Sequence, residues 1–275
     1  MGNLYSRRDH NNEGFVTVTY FLKGGFLHRD SLGIKQTYGA EKRHKGKHTQ
    51  WLTTGAGILH EEMFDIAPDE GGIDFLQPSS QELYQLWLNV PSSQKMNHPR
   101  VDLLGGEEET PTIVKESGDS RTETIVLAGS YDGKTSAATC LSDISLFHIK
   151  MSPGSTWVYE MPQTFCTAIM YVRTGSCSVG GKRIPPQYTA YLGSSGTHLE
   201  VTTQDGADFL LMAGEPLGEP VAAQGSMVMN TPEEINMAYS DYQALRMGAP
   251  WDHKLSDEEW TSHVAQYPST YKTDS

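Results

Sequence analysis

A chain of 275 residues with 37% hydrophobic and 20% charged residues has the length of one large or two modest domains and enough apolar content to bury cores. Its 21 basic and 34 acidic residues give a net charge of −13, which argues against the basic surface that direct nucleic-acid binding needs. No run approaches the ~18 consecutive apolar residues of a membrane span, and no signal-peptide core is recognisable.

In chain order the elements read as short strands between turn residues. Phe15-Val16-Thr17-Val18-Thr19-Tyr20 is rich in β-branched and aromatic residues, and Gly24-Gly25 closes a hairpin after it. Further strands are expected at 26–30, 49–53, 83–90, 123–128, 143–151, 167–172, 188–192, 198–203 and 208–213. Residues 66–80 read as a surface loop, and so do residues 91–121, which hold Gly105-Gly106 and the acidic run Glu107-Glu108-Glu109. A domain boundary is expected in the second loop. Similar strand-rich stretches flank it, which points to an all-β chain of two related barrels, although no strict repeat is present. Late in the chain, Thr231-Pro232-Glu233-Glu234 combines an N-cap, a proline at the first helical position and a capping box. Ile235, Ala238, Tyr242 and Leu245 then share one helical face, and a weaker helix starts near Ser256.

Two polar pairs can carry chemistry. His10 and Asn12 are two apart at a strand, and so are His60 and Glu62 after Gly55-Ala56-Gly57-Ile58-Leu59. Residues i and i+2 on a strand face the same way. Neighbouring strands would bring together two imidazoles, a carboxylate and an amide. Two histidines and one carboxylate form the facial triad of non-haem Fe(II) sites.

The stretch Gln50-Trp51-Leu52-Thr53-Thr54-Gly55-Ala56-Gly57-Ile58-Leu59-His60-Glu61-Glu62-Met63 resembles the hallmark segment of the pirin family. Gly14-Phe15, Thr17-Val18-Thr19-Tyr20, His28-Arg29-Asp30-Ser31, Leu86-Trp87-Leu88-Asn89 and Ser93-Gln94-Lys95-Met96 fit in order, as do Ala213-Gly214-Glu215-Pro216-Leu217 and Val228-Met229-Asn230-Thr231. The resemblance covers residues 10 to about 245. It implies two tandem cupin barrels of jelly-roll type with a C-terminal helix: a metal-bearing barrel over 1–105, a metal-free barrel over 121–230, and a helix with a polar tail over 231–275. It implies one divalent metal, Fe(II), held by the H-x-H and H-x-E pairs, which here are His10, Asn12, His60 and Glu62. The second histidine has become Asn12, a neutral and weaker donor, so binding is expected to be kept but weakened.

The family also carries several dozen residues before its H-x-H strand, whereas Met1 lies nine residues before His10. We expect a start that is not the true one, rather than a first barrel with an open edge. The match of Met1-Gly2-Asn3-Leu4-Tyr5-Ser6 to the myristoylation pattern would then be accidental, and membrane attachment is expected only if Gly2 is acylated.

The resemblance implies two functions. One is a quercetin 2,3-dioxygenase acting on a flavonoid-like substrate with O2, with Glu62 also serving as catalytic base. The other is a redox-sensing nuclear co-regulator that contacts a transcription-factor partner. A monomer in cytoplasm or nucleus is expected. Cys140, Cys166 and Cys177 are an odd number with no Asn-x-Ser/Thr acceptor in the chain, so free thiols in a reducing compartment are expected. His148 and His198 read as structural, and His44 and His48 as part of a solvated basic loop; His28 stays open, since its family block recurs while a hydrogen-bonded strand position explains it without chemistry.

Overall fold

Alternating polar and apolar residues give the first strands two distinct faces. In Phe15–Lys23, Thr17 and Thr19 alternate with Val16, Val18 and Tyr20, and all five are buried. A strand buried on both faces must be covered twice, which a closed pair of sheets achieves for one of them. The computed structural model describes residues 8–40, 42–65, 81–193 and 196–271, with the side chains of all but residues 8–11 and 43. The hexapeptide from Met1 to Ser6 and the expected loop at 66–80 lie outside the described residues.

The chain divides into two compact units, one built from the residues up to Leu104 and from Glu219 onward, the other from Gly105–Gly218. In the first unit the strands are β1 (Arg8–Asn12), β2 (Phe15–Lys23), β3 (Gly25–Asp30), β4 (Lys35–Gly39), β5 (Lys47–Thr53), β6 (Ile58–Phe64), β7 (Glu82–Asn89) and β8 (Arg100–Gly105). They form two antiparallel four-stranded sheets, in the orders β1-β6-β3-β4 and β7-β2-β5-β8. Phe21, Phe26, Tyr38 and Phe64 pack ring to ring, with centroids 4.9–6.1 Å apart.

The second unit holds β9 (Thr112–Ser117), β10 (Ser120–Ala128), β11 (Ser130–Tyr131), β12 (Lys134–Thr135), β13 (Ile144–Met151), β14 (Thr156–Glu160), β15 (Thr167–Gly175), β16 (Cys177–Val179), β17 (Lys182–Ile184), β18 (Thr189–Tyr191), β19 (His198–Thr202) and β20 (Ala207–Gly214). A six-stranded sheet, β18-β15-β20-β13-β10-β9, accompanies a four-stranded one, β14-β19-β16-β17. Tyr131, Phe147, Trp157, Tyr159 and Phe209 fill its interior, with contacting rings 5.0–6.1 Å apart.

Residues 91–121 are not a loop. They contain the helical turn α1 (Ser92–Lys95), β8, β9 and the start of β10. The polarity that made them read as a loop belongs to the exposed stretch of β9, from Val114 to Ser117. The acidic run is a tie: Glu109 accepts from the Gly105 N–H at 2.8 Å and Glu107 from the Thr112 N–H at 3.0 Å.

The C-terminal stretch groups with the first unit. It contributes β21 (Ala222–Gln224), β22 (Met227–Met229), α2 (Pro232–Gln243) and α3 (Asp257–Gln266). Both helices open with a capping box, Thr231 with Glu234 and Ser256 with Glu259. Ile235 and Ala238 pack with Leu59, Met227, Met229 and Met247, so the apolar face of α2 lies on the first barrel. Leu245 departs from the expected face: it lies beyond the last turn at φ 59° and is 44% exposed.

A buried ammonium joins the early and late parts of this unit. Lys95 Nζ donates to the carbonyls of Gly14 at 2.7 Å and Val228 at 2.9 Å, and to Asn89 Oδ1 at 2.6 Å. Gly14 has φ 85°, and a Cβ there would fall 2.1 Å from the Val228 oxygen, so only glycine fits. All three cysteines are free, and burial pushes the Cys140 and Cys177 thiols up to about 11.

Candidate metal centre

β6 lies between β1 and β3, so each of its inward residues has a neighbour on both sides. His60 is in register with His10 and with Asp30, and Glu62 with Arg8 and with His28. Strand alternation then puts His28 and Asp30 on the face of His60 and Glu62. The intervening pair points away: Arg29 donates through Nε to Glu61 at 2.6 Å. His28 and Asp30 are fully buried, His60 is 2% exposed and Glu62 is 6% exposed. So dense a buried set of ionisable groups is costly unless its members bond to one another or to a ligand.

One ligand atom from each of His28, His60 and Glu62 lies within 4.8 Å of the others. The His28 and His60 rings are 5.6 Å apart. Both oxygens of Glu62 are held: Oε1 accepts from the Tyr38 hydroxyl at 2.9 Å and Oε2 from the Gln85 amide at 3.1 Å. Burial lifts the Glu62 carboxyl above its ordinary range, against the opposing pull of His28 and of the Tyr38 and Gln85 hydrogen bonds. His28 Nε2 bonds Asp30 Oδ2 at 2.9 Å. Asn12 Nδ2 lies 3.0 Å from His60 Nε2.

The donor set fits a mid-series divalent cation. Two imidazoles and a carboxylate converge, and the buried His28 Nδ1 has no hydrogen-bond partner within the protein. A cation would engage such an orphaned lone pair.

Of the four residues expected to hold a metal, His60 and Glu62 stand in the cluster and Asn12 stands against it. Asn12 presents its amide nitrogen to His60 rather than its oxygen. For His10 the backbone register with His60 is described, whereas its side chain lies outside the described ones. His28, left open by the sequence, is hydrogen-bonded in a strand and is also the cluster's second imidazole. The signal was present: His28 and Asp30 are two apart, the same spacing that singled out His60 and Glu62. His44 corrects the sequence reading, since it is buried and bonds Asp65 at 2.8 Å instead of lying solvated.

In the second unit His148 is buried against Asp208 at 2.9 Å, with Arg173 3.3 Å from the same oxygen. His198 opens β19, exposed and 2.5 Å from Glu160. Among the described residues no three-ligand group occurs in that unit.

The inner face also carries an aromatic wall. β7 places Gln85 opposite Thr19 and Trp87 opposite Thr17. Trp87 packs on Phe15 with centroids 4.5 Å apart, yet is 47% exposed. Thr17 Oγ1 and Gln50 Nε2 are buried without a hydrogen-bond partner.

Known proteins share this arrangement of strands and motifs. The family model described as Pirin matches residues 3–88, and the Pirin C-terminal cupin domain matches residues 146–248. Pirin of Homo sapiens is 34% identical over 267 residues, covering 90% of this chain and 81% of the relative. Pirin-1 of Arabidopsis thaliana is 32% identical over 246 residues, covering 87% and 77%. The chain belongs to the pirin family. As in other pirins, its two halves are cupin domains, and the chain is mostly β with a C-terminal helical region. A crystal structure of quercetin 2,3-dioxygenase from Acinetobacter baumannii superposes with a TM-score of 0.77 at 30% identity, covering 88% of this chain and 79% of that one.

Proposed function

We propose that the first unit holds one divalent metal, Fe(II), between His28, His60 and Glu62, and that it opens flavonols with O2 as a quercetin 2,3-dioxygenase. The observation that carries this reading is the convergence of those three buried ligand atoms within 4.8 Å. From β1, Asn12 stands against the set with its amide nitrogen on His60, and His10 is in backbone register with His60. The resemblance to a solved quercetin 2,3-dioxygenase supports the choice of substrate.

When bound, the ion supplies Lewis-acid polarisation and a template that orients the reactants. The protein's own groups supply the rest. Glu62 accepts the proton of a flavonol hydroxyl at Oε2. The Tyr38 and Gln85 bonds hold the carboxylate plane in place. Trp87, 47% exposed beside Gln85, offers ring surface for a planar polyphenol.

Anaerobically Fe(II)-loaded protein should consume quercetin and O2 together on exposure to air, and metal-free protein should not. Stoichiometric iron without loss of flavonol would overturn the dioxygenase reading.

A further inference from the structure

Asp30 is fully buried and both of its oxygens are committed. Oδ1 accepts the backbone N–H groups of Leu32 at 2.9 Å and Ile34 at 3.0 Å, which locks the carboxylate into the turn that follows β3. Oδ2 lies 2.9 Å from His28 Nε2. An ionised carboxylate only accepts, so the imidazole must donate from Nε2. A neutral ring with its proton on Nε2 carries its lone pair on Nδ1. In this protein Nδ1 is buried and has no partner. The ring itself sits beside His60 and is in register with Glu62.

We propose that Asp30 is the positioning residue of this metal centre: it fixes the tautomer and orientation of His28 so that Nδ1 serves as the metal ligand. This rests on the metal-binding reading above and names the device that makes His28 competent for it. The arrangement is a carboxylate–histidine–metal relay, in which the outer carboxylate orients the ring and raises its basicity. It also accounts for the spacing in His28-Arg29-Asp30. The i and i+2 residues share the inner face, while Arg29 turns outward to Glu61.

Asp30→Asn is the selective test. Its carbonyl can keep the two turn hydrogen bonds, which places an amide donor where Oδ2 now faces His28. That donor can meet only an unprotonated Nε2, so the proton moves to Nδ1 and blocks the ligand lone pair. Flipping the amide would turn its N–H groups onto those of Leu32 and Ile34, which is unfavourable.

The experiment has two readings: nitrogen-15 spectra of the metal-free protein, and titration with Co(II) alone. Wild type should show His28 as the Nε2–H tautomer. Asp30→Asn should show the Nδ1–H tautomer with a similar unfolding midpoint, and its Co(II) dissociation constant should rise about 10- to 100-fold. A wild-type His28 protonated on Nδ1 overturns the proposal, even if the variant fails to fold. A folded Asp30→Asn that binds Co(II) as tightly as wild type overturns the role of Asp30 and leaves the metal centre standing. A wild type that takes up no Co(II) overturns both.

Discussion

The side-chain nitrogen of Asn12 stands 3.0 Å from Nε2 of His60. An amide nitrogen donates and cannot ligate, so Asn12 covers a lone pair that a cation would use. Metal binding must therefore displace this hydrogen bond or turn the amide so that its oxygen faces inward. Asn12→His removes the covering donor and adds an imidazole. Its Co(II) dissociation constant should fall on the order of tenfold, while His60→Ala should lose stoichiometric binding. Calorimetric titration of the three proteins checks this, and a folded Asn12→His with lower occupancy would count against the site.

Trp87 should act on substrate and not on the fold. It is 47% exposed and its main partner is the Phe15 ring. Loss of one aromatic stack, worth about 0.5–1.5 kcal/mol, should raise the KM for a flavonol by about 2- to 10-fold in Trp87→Ala. The unfolding midpoint should stay near the wild-type value. Steady-state kinetics on iron-loaded protein, with a melting curve beside them, separate the two effects.

Lys95 is a structural lysine. Burial lowers its ammonium from the usual range, although Glu219 and Glu234 oppose the shift. Lys95→Met keeps the stem and leaves the Gly14 and Val228 carbonyls and Asn89 Oδ1 without this donor. The loss should be about 3 kcal/mol in urea unfolding. A change below about 0.5 kcal/mol would show that water replaces the ammonium there.

Asp208 should make part of the second unit's stability sensitive to acid. Burial alone would raise its carboxyl, but the hydrogen bond and charge of His148, with Arg173 and Lys150, outweigh this and leave it below the ordinary value. A depressed acid contributes its full stability above the unfolded value of 3.8 and loses it as pH falls through the folded one. Asp208→Asn should thus be destabilised at neutral pH by about 1–3 kcal/mol. The gap to wild type should close as the pH drops below the ordinary carboxylate range. Urea midpoints across a pH series give the curve, and a constant gap would remove the His148 pairing as its cause.

The two barrels, the capped helix at Pro232 and the pairing of His60 with Glu62 were legible because each is written in local spacing: a two-residue period, a capping box, an H-x-E. His28 was not legible as a member of the cluster, because its place there depends on the register of β3 against β6, a relation between residues 34 positions apart (62 − 28). The burial of His44 was hidden for a similar reason. Its neighbours Lys42, Lys45 and Lys47 are basic, and its partner Asp65 lies across the fold. The loop reading of 91–121 weighed the exposed polar stretch of β9 and missed that β10 supplies its hydrogen-bond ladder.

The N-terminal barrel is covered by residues that a ribosome delivers only after the whole second unit. The second unit is one unbroken stretch and can be complete once Gly218 has emerged. The acceptor of Lys95 on Val228, and the apolar cover that Ile235 and Ala238 give Leu59, must wait several seconds more at translation speeds of roughly 5–20 residues per second, counted from the emergence of β8. The domain that begins synthesis first is therefore the one that finishes folding second. A chain cut after Gly218 would keep every candidate ligand and still leave Lys95 without one of its three acceptors and Leu59 uncovered.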